Sequence, residues 1–550
     1  MYRFFIKGSM FEPLDDLKKA APRKSSPVCY AESMKETCPP GADRKRQTME
    51  NANILEQLEA QDKRLMKAVN KLAMKIRALP ADPEYPDVEP KALLVGGFVR
   101  DSILGLKPKD ADMEIYGVSA KRLEKVLAQL FSERVNAVGQ AFGVYKINIG
   151  EGLDFDLSIP RRESKTGRGH KGFTVEGDPS MSVKEAARRR DFTMNALAAD
   201  PLTGEVIDAF GGMRDLKDGV LRVTDSERFQ DDPLRVYRAL QFAARMNLTV
   251  ESKSLGLMHK MVARGDMREL AYERITEELK KLLLKANRPS IGFELARELG
   301  IIERDYPELN TLIDLPQEAE WHPEGDAWTH TMMVVDASAN IIREKDRGFT
   351  DEEKMQVMLG ALCHDLGKAL TTELIDGRIR SRGHEEAGEE PTKAMCFRLA
   401  FSNETVEGAV VITKDHLKPG AAFRAHAKGE LNDDQYANAT RKLLKRIAPV
   451  SWRVLIAASE ADFRGRAIPG VDKDVYDTGK LFASVITSRG LDVEPTKPLI
   501  QGRDLIDLGV KPGLQMGALI RRVEEARDKG KVTTHEEAMR LVRGFLENDR

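Results

Sequence analysis

The spacing of apolar positions along this chain changes character twice. Residues 53–79 carry apolar side chains at helical intervals and the pattern stops at Pro80, which predicts a helix ending there. Between about 90 and 224 the runs become short. Ala92-Leu93-Leu94-Val95 is continuously apolar, whereas Leu153-Asp154-Phe155-Asp156-Leu157-Ser158-Ile159 alternates, and both read as strands with helices interleaved between them. From about 225 the helical period returns and persists almost to the end. The first 50 residues are polar, rich in Pro, Lys and Ser and without period, so they are expected to be disordered, with Met34 and Met49 as alternative starts. The fold class is α+β. The expected order is a disordered extension over 1–50, a helical lead-in over 51–88, a mixed head over 89–224, a helical neck over 225–290, a helical body over 291–490 and a tail over 491–550. No internal repeat is visible.

Composition narrows the class of protein. At 550 residues the chain is too long for one core. Its formal charge of −1 excludes a global basic field for nucleic acid, so any such partner must be met by local patches. Candidate patches are Arg161 to Lys171, Arg441-Lys442 with Lys445-Arg446, and Arg521 to Lys531; each is also what an ordinary solvated face looks like. Cys29, Cys38, Cys363 and Cys396 form no framework, no apolar run approaches a membrane span, and the N-terminus lacks the apolar centre of a secretory signal. A cytoplasmic enzyme with no membrane partner is expected.

The chemistry concentrates in acids. Asp110 and Asp112 are two apart, and in extended backbone they face one way, as hard divalent cations require. Just upstream, Gly96-Gly97 follows a strand and opens a short helix, which offers bare backbone to phosphates. Asp154 and Asp156 supply a further acid. Taken alone, Asp-x-Asp is common on solvated strand edges. In this order, with the glycines, the set suits two-metal nucleotidyl transfer.

Leu94 to Asp112, LVGGFVRDSILGLKPKDAD, resembles the signature of the class II tRNA nucleotidyltransferases and bacterial poly(A) polymerases, which have a polymerase-β-like palm. Further blocks extend the resemblance. Arg161-Arg162-Glu163-Ser164-Lys165 is similar to the stretch after the family's third acid and maps that acid to Asp156; Arg189-Arg190-Asp191-Phe192-Thr193-Met194-Asn195-Ala196-Leu197 resembles its RRDFTxNAL block. Asp231-Asp232-Pro233-Leu234-Arg235, with Arg238, resembles its EDxxR motif, Asp231 standing where Glu is usual.

The resemblance implies Mg2+ on Asp110 and Asp112 with Asp156 assisting. It implies triphosphate and ribose contacts from Gly96, Gly97, Arg100, Arg190, Asp191, Asn195 and Arg238. It also implies choice of CTP and then ATP by Asp232 and Arg235 at a tRNA 3′ end. By residue spacing, Asp232 and Arg235 lie on one face of a helix, where an intrahelical ion pair is the competing reading.

A second set of metal-ligand types lies further on. His330, His364-Asp365 and Asp462 resemble the ligand pattern of HD phosphohydrolases, with His384 and His416 as further candidates, in a unit spanning about 325–466. The resemblance implies a divalent metal there and phosphoester hydrolysis. The favoured activity is template-independent addition of CMP and AMP to tRNA. A poly(A) polymerase, a CC-only or A-only enzyme, and an HD hydrolase with a non-catalytic RNA-binding head are the alternatives.

Overall fold

The computed structural model describes residues 54–548 except 109, 140–142, 151, 166–172, 492–498, 511–513, 529–531 and 533. The expected disordered extension, Cys29, Cys38, and Arg168 and Lys171 of the basic stretch lie outside the described residues. The chain divides into two units: Met1–Pro419 with Val450–Tyr476, and Gly420–Pro449 with Asp477–Arg550.

The lead-in is not one helix. It breaks into Ile54–Glu59 and α1 (Lys63–Arg77), because Asp62 caps the second by accepting from the Arg64 and Leu65 amides. Such a cap stabilises a helix start by about 1 kcal/mol, enough to fix the boundary against a continuous apolar stripe.

The head is built on a seven-stranded sheet of order β3-β4-β5-β2-β1-β8-β9. Its strands are β1 (Lys91–Val95), β2 (Ala111–Tyr116), β3 (Val135–Gly139), β4 (Val144–Gly150), β5 (Leu153–Ser158), β8 (Ala198–Ala199) and β9 (Val206–Ile207). β2 and β5 run parallel, and the other neighbours are antiparallel. Alternation divides each strand between two faces. Ala92, Leu94, Ala111, Met113, Ile115, Phe155 and Leu157 join the main core with Leu65, Val69, Leu72 and Ile76 of α1. Leu93, Val95 and Tyr116 go to a smaller core with Met181, Ala186 and Ala198. Burial on both faces is why β1 reads as an unbroken apolar run. Arg161, Arg162 and Lys165 of the first candidate patch belong to a strand, β6 (Arg161–Lys165), which pairs with β7 (Phe173–Gly177).

After the sheet the chain is helical. α2 (Gly97–Ile103) follows the glycine pair; α3 (Leu234–Met246) packs on α4 (Tyr272–Lys285). Further on, α5 (Ala327–Ile341), α6 (Asp351–Cys363), α7 (Asn403–Asp415) and α8 (Trp452–Gly465) pack against one another. In the second unit Arg441, Lys442, Lys445 and Arg446 are exposed on the helix Asp433–Ile447. No helix among the described residues is long and apolar enough to cross a membrane.

Candidate functional site

Asp112 and Asp156 are register partners on the parallel strands β2 and β5, so their side chains leave the sheet side by side. Asp110 stands immediately before β2. All three acids are exposed. Asp112 and Asp156 open into a cavity of about 360 Å³ lined also by Val95, Glu114, Val144, Ser158, Arg161, Arg189 and Arg190. Enough protein surrounds the Asp112 carboxylate that desolvation, joined by the charges of Asp156, Asp110 and Glu114, raises its pKa, although Arg190 pulls the other way. Three acids acting on one another favour a cation among them, and an all-carboxylate set fits a hard ion such as Mg2+. The neighbouring acid Asp154 is engaged by Lys146 at 3.2 Å.

The cavity lining is also basic, and its arginines rest on a residue that sequence reasoning missed. Glu114 is buried at 2 % exposure, and its Oε1 accepts from Arg189 Nη2 and Arg190 Nη2, each at 3.0 Å. Burial pushes its pKa up, but Arg190, Arg189 and the Tyr116 hydroxyl outweigh that and hold the carboxyl below its ordinary range. Strand alternation was the available signal, since Asp112, Glu114 and Tyr116 share a face. Gly96 has φ +70°, a backbone conformation that favours glycine, and a Cβ there would stand 2.6 Å from Arg190 Nη1, so a larger residue would displace the guanidinium as well.

Asp191, Asn195 and Arg238 form a buried network rather than a cavity wall. Asp191 accepts from Asn195 Nδ2 at 2.9 Å and from Arg238 Nε at 2.7 Å, which joins the head to α3. Arg100 continues this network. It is 4 % exposed, donates to Asn195 and, at 2.7 Å, to Asp101, and packs its guanidinium 5.1 Å from the Phe242 ring centre.

Asp232 and Arg235 do not share a helix. Pro233 occupies the N-cap of α3, leaving Asp232 outside it, where its carboxylate accepts from the Leu234 amide at 3.2 Å. Each has partners of its own: Asp232 meets Arg274 at 3.2 Å, while Arg235 donates to the carbonyls of Arg228 (2.7 Å) and Arg189 (2.6 Å). Asp231 lies 3.8 Å from Arg228.

The histidines converge far more tightly. His330 on α5, His364 and Asp365 after α6, His416 after α7 and Asp462 on α8 are all buried, as is His384. Donor atoms of His330, His364 and Asp462 lie within 4.8 Å of one another, as do those of His364, Asp365 and His416. A third such set, His322, Glu324 and His330, adjoins them; among the described residues the head acids form none.

Each ring is oriented by its Nδ1. Those of His364 and His384 donate to the Ala361 and Ser381 carbonyls at 2.8 Å, that of His416 to the Thr413 carbonyl at 3.1 Å, and that of His330 to Glu324 at 2.8 Å. The Nε2 atoms are thereby left to the cluster. Those of His330 and His364 face each other at 3.4 Å, which needs a proton or cation between them, and His384 Nε2 is buried without a hydrogen-bond partner. Burial, helped by His364, lowers the His416 pKa to about 3, so that ring is the neutral form a metal requires. Burial opposes charge on Asp365 and Asp462 too, yet His364 and Lys368 around the first and Arg466 and His330 around the second hold both well below the carboxylate range. This donor set fits a divalent transition metal. Glu324, Lys368 and Arg466 had no role in the sequence reading, and no local spacing marks Glu324, six residues before His330.

Residues 92–222 match the family described as the poly A polymerase head domain, 247–313 a probable RNA- and SrmB-binding site of polymerase A, and 327–445 the HD domain. The chain is 34% identical over 387 residues to a multifunctional CCA protein of Laribacter hongkongensis, covering 70% of this chain and 87% of that one. It is 34% identical over 430 residues to that of Stenotrophomonas maltophilia, covering 76% and 98%. Among solved structures, the Bacillus stearothermophilus CCA-adding enzyme in complex with CTP superposes with a TM-score of 0.53 at 19% identity, covering 88% of this chain and 98% of that one. A CCA-adding enzyme in an apo form gives 0.53 at 22%, with the same coverage. At those identities the superpositions speak for the fold.

Proposed function

This chain belongs to the family of the multifunctional CCA proteins, and we propose that it adds CMP and AMP, without a template, to the 3′ end of tRNA. The observation that carries this reading is Asp112 beside Asp156 on adjacent strands, opening into a cavity that Arg161, Arg189 and Arg190 also line. In the proposed reaction the RNA 3′-hydroxyl attacks the α-phosphorus of the nucleoside triphosphate, a new phosphodiester forms, and pyrophosphate leaves. Asp156 takes the hydroxyl proton. Asp110 and Asp112 would hold Mg2+, which supplies charge neutralisation at the phosphates.

Gly96 and Gly97 offer bare backbone to the triphosphate, and Arg190, which overhangs Gly96, contributes a guanidinium to it. Asp191, Asn195, Arg100 and Arg238 fix the head against the neck helix and so set the frame of the nucleotide. Asp232 and Arg235, each steadied by partners other than one another, present an acceptor and a donor fork to the base of CTP or ATP. The place of action is the cytoplasm.

The histidine cluster supports a second activity, phosphoester hydrolysis. His330, His364, Asp365 and Asp462, with His384 and His416, would hold a divalent ion whose Lewis acidity serves that reaction. Lys368, 2.8 Å from Asp365, and Arg466, 2.5 Å from Asp462, bring positive charge beside the ligands, where a phosphate would sit.

The test is extension of tRNA ending at the discriminator nucleotide, with CTP and ATP supplied singly and together. CTP alone should add cytidines, ATP alone nothing, and both together should complete CCA. A long adenosine tract from ATP alone, or no extension, overturns the proposal.

A further inference from the structure

Glu114 lines the head cavity, and it is a carboxylate that the proposed reaction does not use. A buried carboxylate is costly unless it is paired, and placing one on the sheet face that already carries Asp112 adds repulsion to that cost. Its partners show what it holds. One oxygen takes Arg189 and Arg190 together, each at 3.0 Å, and the other takes the Tyr116 hydroxyl at 2.8 Å. Glu114 and Tyr116 are 2 % and 1 % exposed, whereas the two arginine side chains are 20 % and 21 % exposed. The anchor is therefore fixed and the guanidiniums still reach the cavity.

Two further contacts extend outward from these arginines. Arg190 Nη1 lies directly above Gly96, at the turn between β1 and α2. The Arg189 main-chain carbonyl accepts from Arg235 Nη2 at 2.6 Å. Glu114 is thus bonded to one arginine that overhangs the glycine turn and to a second whose backbone holds the arginine assigned to the base. A surface ion pair elsewhere on the head would have neither connection.

We propose that Glu114 is a positioning residue for the incoming nucleoside triphosphate: it sets the Arg189 and Arg190 guanidiniums against the cavity for the phosphates and, through the Arg189 main chain, steadies Arg235 at the base. This rests on the nucleotidyl-transfer reading of the head. Because Glu114 acts through cations that meet the nucleotide on binding, its loss weakens nucleotide affinity and base choice more than the chemical step. The carboxylate itself touches neither the reacting hydroxyl nor the leaving pyrophosphate.

The experiment is steady-state extension of tRNA by the full-length chain, with KM and kcat measured separately for CTP and ATP, in wild type, Glu114→Gln and Tyr116→Phe. Glu114→Gln keeps the shape and removes the charge. It should raise KM for both nucleotides about tenfold, leave kcat within about twofold, and increase misincorporation of UTP, the size expected for losing charge-assisted bonds. Tyr116→Phe, which removes one donor to the same carboxylate, should move KM the same way by about two- to threefold. Unchanged nucleotide KM values in Glu114→Gln, or a fall in kcat at constant KM, overturn the inference. If Glu114→Gln fails to melt cooperatively, Tyr116→Phe decides by the same KM criterion. Failure of the wild type to extend tRNA at all would instead overturn the function proposed for the head.

Discussion

The two acid-rich regions of this chain are built on opposite plans. In the head, Asp110, Asp112 and Asp156 are exposed carboxylates on neighbouring extended segments, and the three do not bring donor atoms within 4.8 Å of one another. In the body, six ligand-type residues are buried, with imidazoles pre-oriented through Nδ1, and donor atoms of five of them, His330, His364, Asp365, His416 and Asp462, lie within 4.8 Å in sets of three. A site of the first kind has places left for a substrate's own oxygens. A site of the second kind is formed before any substrate arrives. The difference matches an ion that enters and leaves with a triphosphate on one side and a resident ion on the other.

The sharpest way to break the contrast is to exchange the consequences of losing each site. Asp112→Asn should reduce nucleotide addition by about a thousandfold or more, the range for removing a ligand to a catalytic ion, while tRNA affinity measured by filter binding stays near wild type. His364→Ala should leave extension within about twofold and remove phosphoester hydrolysis, assayed on a 2′,3′-cyclic nucleotide. Equal loss of both activities in either variant would mean that the regions are not separate sites.

A smaller effect concerns selection. Arg235→Ala should cost about ten- to a hundredfold in discrimination between CTP and UTP, read from single-nucleotide incorporation, because a charged donor to the base edge is lost. Asp232→Ala should behave alike, and if discrimination holds in both, the base is read elsewhere.

The smallest effect is in pH. Burial works against charge on His330, but Asp462 and Glu324 prevail and raise its pKa, so a proton competes with metal there more strongly than at a free imidazole. Metal affinity of the body, followed by equilibrium dialysis with Mn2+, should therefore fall as the pH drops towards and through the ordinary histidine range. A pH-independent affinity would remove His330 from the ligand set.

How much of this was legible depends on how far apart the residues lie in sequence. The head signature is nearly contiguous, so the glycine turn, the Asp-x-Asp step and the strand that bears Asp156 could be read from spacing and resemblance. The side on which a residue ends up was harder. Arg100 carries a charge within a glycine-led motif and reads as a phosphate contact, yet the single short helix α2 turns it inward onto Asn195 and Phe242. Glu114 drew no role from the sequence, because the two arginines that fold over it lie some 75 positions later. Pro233 moves Asp232 out of the helix that spacing would have given it.

In the body only His364-Asp365 is local. His330 and Asp462 are 132 residues apart and meet at 3.1 Å because α5 packs on α8, which periodicity alone does not predict.

The contrast between a substrate-completed site and a preformed one is tested most directly by anomalous diffraction from crystals soaked in Mn2+, with and without CTP. The account predicts a body peak bounded by His330, His364, Asp365 and Asp462 in both soaks, and a head peak between Asp110 and Asp112 that gains occupancy strongly when CTP is present. A head peak that ignores CTP, or no metal at all among the four body residues, would contradict it.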